Sequence, residues 1–74
     1  MSESYTFAET TALLGNTIAR CQRAGFSRDG RLMRELKRSM QDATAGDLKL
    51  KGRNRRAIRA LRMAAEALDA RGLV

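Results

Sequence analysis

Proline is absent from all 74 residues, and the strand-favouring Val, Ile, Thr and aromatic side chains are sparse. Ala, Leu, Met, Arg and Glu dominate, which is a helix-forming composition. Periodicity and glycine then decide where helices begin and end. Phe7, Leu14, Ile18 and Cys21 recur at spacings of seven, four and three, one seam of a helix. The first helix is predicted over about residues 7–24, with Ser4 or Thr6 available as caps and Gly25 as its stop. Gly15 falls inside it, at a cost of about 1 kcal/mol relative to Ala, and either marks a close helix contact or is a tolerated defect.

Ser27 is a good N-cap for a second helix over residues 28–44, with Asp29 in its first turn. Leu32, Leu36, Met40 and Ala43 share one face, with Met33 at its edge, while Arg31, Arg34, Lys37 and Arg38 take the opposite face. Glu35 and Asp42 lie four residues after Arg31 and Arg38, a spacing that pairs charges on a helix. Ala45, Gly46 and Asp47 break the pattern. Residues 45–52 therefore read as an interhelical linker, with Leu48 and Leu50 pinned on the core. The third helix is predicted over residues 53–71, with Gly72 as cap.

On a wheel of 100° per residue, Arg55, Arg59, Arg62, Glu66 and Asp69 form one polar stripe of the third helix. The rest is almost all apolar: Ala57, Ile58, Leu61, Ala64, Ala65 and Leu68, continuing to Ala60, Met63, Ala67 and Ala70. One partner helix cannot cover so wide an arc. The third helix is thus expected to pack within its own chain and, through Ala60, Met63 and Ala67, across a dimer interface. Core size points the same way. The hydrophobic fraction of 43% includes twelve Ala, and only three side chains are aromatic. With one Cys and no His, neither a disulfide nor a zinc site within the chain can staple so small a core. The expectation is a single all-α domain over residues 1–74, three helices with a polar segment at residues 1–6, completed by homodimerisation.

Charge is distributed unevenly. The net charge is +7, yet all fifteen bases lie from Arg20 onward, and twelve of them are Arg. The densest run, Lys49–Arg62, holds seven bases (Lys49, Lys51, Arg53, Arg55, Arg56, Arg59, Arg62) and no acid. Such a run repels itself and calls for an anionic counterpart. Arginine's planar fork suits phosphate or carboxylate, although a high-GC genome produces the same bias. The run also opposes the helix dipole, with bases at the predicted start of the third helix and Glu66 and Asp69 toward its end. Backbone N–H groups and arginines together make an anion site there.

DNA or RNA is the first expected partner. Arg55, Arg59 and Arg62 would face phosphates, with Asn54 or Arg56 toward base edges, and Arg53 belongs to the anion site at the helix start. Lys49 and Lys51 would add to the field, and Arg31, Arg34 and Arg38 would extend the footprint if the two helix faces are coplanar. No aromatic interleaves the run, which disfavours stacking on single strands. A ribbon-helix-helix arrangement needs a base-bearing strand ahead of its first helix, and Ser2–Thr6 holds an acid and no base. The alternative is a protein-binding regulator or inhibitor whose basic helical face docks on an acidic partner.

Other chemistry is not written in the chain. The usual nucleophile–base pairs, zinc ligand sets and Gly-rich phosphate loops are missing, so neither an enzyme, a cofactor nor a small-molecule substrate is expected. Cys21, on an apolar seam, reads as a buried inert thiol. No stretch approaches a membrane span, no signal-peptide layout is present, and one unpaired Cys suits a reducing compartment. A cytoplasmic protein without a membrane partner is expected.

Overall fold

The computed structural model describes residues 6–72. Three helices run in order, α1 (Phe7–Arg23), α2 (Arg31–Thr44) and α3 (Lys51–Ala70), with a single 3-10 turn over Asp47–Lys49 ahead of α3. No strand occurs among the described residues. Each helix packs against both others, in a body of 31 × 29 × 17 Å. The short dimension matches two helix layers at the usual spacing of about 8–10 Å.

α1 begins and ends on signals written in the sequence. Thr6 is its N-cap: the Thr6 hydroxyl accepts from the Glu9 N–H at 3.0 Å, and the Glu9 carboxylate accepts from the Thr6 N–H at 2.9 Å. The two form a reciprocal capping box. Ser4, the other candidate cap, lies outside the described residues. At the far end Gly25 takes φ +83, the Phe26 N–H reaches the Cys21 carbonyl and the Gly25 N–H the Gln22 carbonyl. This is the Schellman arrangement, and its αL position favours glycine.

α2 starts three residues later than expected. Ser27 does not cap it; the Gly30 N–H donates to the Ser27 carbonyl at 3.1 Å and closes a turn instead. A Cβ on Gly30 would sit 3.2 Å from that carbonyl oxygen, so the tight closure explains why the chain turns once more before the helix. Asp29 thereby falls outside the first turn, which holds no acid. The linker reading of residues 45–52 is also corrected. Its middle is the 3-10 turn, and Lys51 and Gly52 already belong to α3, because the Leu50 carbonyl accepts from the N–H groups of Arg53 and Asn54. Leu48 is buried, but Leu50 is 57% exposed.

The core shows why so many alanines are tolerated. It comprises Leu14 and Cys21 of α1, Met33, Leu36 and Ala43 of α2, Leu48, and Ala57, Ala60, Ala64 and Leu68 of α3. Small side chains on α3 let both other helices approach its backbone. These two helices of the same chain bury Ala57, Ala60, Ala64 and Leu68 of the arc, while Ile58, Leu61, Met63 and Ala67 stay half-buried and Ala65 and Ala70 exposed. Ala60, expected at a dimer interface, is 2% exposed and belongs to this internal packing; Met63 and Ala67 are half-buried. α2 packs against both α1 and α3, and Met33 and Ser39 at the edges of its apolar face are buried, while Leu32 and Met40 stay half-buried. Gly15 marks a close contact: a Cβ there would lie 3.3 Å from the Met40 terminal methyl.

Candidate anion-binding groove

The eleven residues expected to bind anions separate into distinct environments. Arg31 and Arg38 of α2 and Arg56 and Arg59 of α3 line one groove of about 250 Å³ together with Glu35, Ala60 and Met63. Helical geometry sets their spread. Arg31 and Arg38, seven residues apart, lie about 10.5 Å apart along α2, and Arg56 and Arg59 about 4.5 Å apart along α3. All four are exposed, and none makes a hydrogen bond or ion pair among the described residues. The Glu35–Arg31 and Asp42–Arg38 pairs expected from spacing do not close; Asp42 keeps a buried carboxylate oxygen without a hydrogen-bond partner.

Other members of the basic run are engaged elsewhere. Arg53 binds Asp47 across 2.7 Å, with both side chains about two-fifths exposed. A pair so wet contributes about 0–1 kcal/mol, but it places an acid beside the start of α3 and occupies Arg53. Lys49 stands 5.6 Å from the centroid of the Phe7 ring. Asn54 faces α1, its carbonyl oxygen 3.5 Å from the Thr10 hydroxyl, and so stands apart from the groove. Lys51, Arg34 and Arg55 are exposed outside the groove. Arg62 lines a different groove, between α3 and α1.

Several contributors were not singled out from sequence. Thr10 is fully buried, its hydroxyl 3.0 Å from the Thr6 carbonyl. Its place three after Phe7 and four before Leu14 put it on the seam, but its polarity hid it. Arg71 ties the end of α3 to α1: it donates to the Ala24 carbonyl at 3.0 Å and stacks on Phe26, 3.7 Å from the ring centroid. A cation at the carbonyl end of α1 is favourable both as a hydrogen bond and against the dipole.

Two titrating groups are displaced. Hydrogen bonds from Thr6, its backbone N–H foremost, hold the Glu9 carboxyl below its ordinary value. Burial pushes the Cys21 thiol up, against a smaller opposing pull from Arg20 and Arg71. Such a thiol is a poor nucleophile. Among the described residues no cluster of metal-ligating side chains occurs, and no helix is long and apolar enough to cross a membrane. Compared with protein-family models, with curated proteins and with solved structures, the chain matches none.

Proposed function

We propose that this chain is a small nucleic-acid-binding protein, with a binding rather than a catalytic role, that holds phosphates in the groove between α2 and α3. The observation that carries the reading is the convergence of Arg31, Arg38, Arg56 and Arg59 from two helices, none with a partner among the described residues. Arginine forks match phosphate oxygens bidentately and form charge-assisted hydrogen bonds. No aromatic lines the groove, which favours a duplex backbone over stacked single-stranded bases. A cytoplasmic location accords with this role. A homodimer belongs to the same proposal, using the half-buried Met63 and Ala67 without Ala60; sedimentation showing only monomer at tens of micromolar removes it.

Duplex binding releases counterions, so the logarithm of affinity should fall with that of salt with a slope of about −0.9 per phosphate held. Four arginines set a slope of about −3 to −4, and replacing Arg56 and Arg59 by Gln should flatten it by about 2. Fluorescence anisotropy with random-sequence duplex DNA and RNA measures both. Absence of binding at low salt overturns the proposal.

A further inference from the structure

Glu35 lines the α2–α3 groove, yet holding phosphates gives it no task. It stands on α2 between two of the four arginines, four residues after Arg31 and three before Arg38, so the three share one helix face. Arg56 and Arg59 stand on the facing wall, on α3. Glu35 is half-buried, and its carboxylate makes no hydrogen bond or ion pair among the described residues. Beside a bound phosphate it repels, so a groove made for phosphates alone would bind better without it.

We propose, on the reading that this groove holds phosphates, that Glu35 makes it select duplex RNA over duplex DNA. The carboxylate would accept a hydrogen bond from a ribose 2′-hydroxyl while the arginines hold the phosphates on either side. An ionised carboxylate is an acceptor only, so the group it meets must donate. With arginines flanking Glu35 on its own helix and facing it from α3, what reaches it lies between neighbouring phosphates of a strand, and that is the sugar. Ribose offers a hydroxyl donor there, and deoxyribose only C–H groups. The wide, shallow minor groove of duplex RNA displays these hydroxyls beside the backbone. Against DNA the carboxylate loses water and finds no donor, and a site built around a hydrogen bond rejects the analogue that lacks it. A cytosine amino group also suits a carboxylate, but it lies on a base edge in the major groove, away from the phosphates.

The test compares three duplexes of one sequence by fluorescence anisotropy on the full-length protein: RNA, DNA, and RNA carrying 2′-fluoro groups, which cannot donate. RNA should bind about tenfold more tightly than either of the others, the worth of one hydrogen bond to a charged group. Glu35→Ala removes acceptor and charge together, so DNA should bind more tightly and all three duplexes should bind alike. Glu35→Gln keeps a neutral acceptor, about half as strong, and should retain about a threefold preference for RNA. Equal affinity of the wild type for RNA and DNA overturns the proposal and leaves the phosphate reading standing. A preference that 2′-fluoro RNA keeps, or that survives Glu35→Ala, overturns it too, because helix shape is then what is read. Absence of binding to every duplex removes the phosphate reading and this selectivity with it.

Discussion

α1 carries Glu9 in its first turn and Arg20 and Arg23 in its last, whereas α3 has no acid in its first turn and no base in its last. Backbone dipoles favour the first arrangement and oppose the second. The difference extends to the caps. Thr6 and Glu9 close a reciprocal box on α1, while Leu50 stands at the start of α3 with no side-chain hydrogen bond. α2 sides with α3, opening on Gly30 and Arg31 without an acid in its first turn. The contrast teaches where the chain satisfies itself and where it does not. α1 settles its own ends. Arg31 at the start of α2 and Arg38 further along it meet Arg56 and Arg59, past the first turn of α3, in one groove. None of the four has an ion-pair partner among the described residues, while Asp47 pairs with Arg53.

The largest effect should come from reversing charge in the shared groove. Arg56→Glu together with Arg59→Glu removes two charge-assisted contacts of about 1.5 kcal/mol each, so duplex affinity at low salt should drop about a hundredfold. Arg23→Gln, at the end of α1, alters only the distant field and should change affinity by about twofold or less at moderate salt. Equal losses in the two variants would break the comparison, because binding would then follow total charge. The next effect is on stability. Thr6→Ala deletes the cap of α1 and should cost about 1 kcal/mol in urea unfolding, with an unchanged denaturant slope.

Those end effects also show which parts of the structure the sequence makes legible. Local signals carry through: Gly25 and Gly72 stop α1 and α3 at positive φ, and Thr6 starts α1. The all-α, three-helix fold follows from them and from the spacing of Leu14, Cys21, Leu36, Ala43, Ala57 and Leu68, all buried. What depends on tertiary placement does not carry through. The alanine arc of α3 looks like surplus surface until α1 and α2 bury Ala57, Ala60 and Ala64, and that turns Ala60 from an interface residue into core. Thr10 and Ser39 are buried because their neighbours on the helix are, against their own polarity. In the candidate site, the basic run is plain from composition. Arg53 is taken by Asp47, six residues away, a pairing that the helical spacing of charges does not reveal. Arg31 and Arg38 join Arg56 and Arg59 because α2 packs along α3, whereas Asn54 turns to Thr10 on α1.

A smaller change should sharpen the contrast from the side of α3. Lys51 is exposed and sits at the first position of that helix. Lys51→Glu replaces a charge that opposes the dipole by one that complements it, and should stabilise the protein by about 0.3–1 kcal/mol at low salt. The same variant should bind duplex more weakly, since a carboxylate then stands near the arginines. A gain in stability without a loss of binding would separate the helix start from the groove.

The smallest effect concerns pH, and its sign follows from Glu9. Its carboxyl is held below its ordinary value of 4.5 by the Thr6 hydrogen bonds, so the folded state binds the proton less readily than the unfolded chain. The capping contribution is therefore complete above 4.5 and declines as pH falls through that value toward the lower, folded one. Glu9→Gln can still accept from the Thr6 N–H but has no charge to lose. The stability difference between wild type and Glu9→Gln, followed by urea unfolding across the carboxylate range, should shrink steadily with acid. A difference that stays constant would mean that α1 is held by the geometry of its cap, with the charge at its first turn contributing nothing, and would remove electrostatics from one half of the comparison with α3.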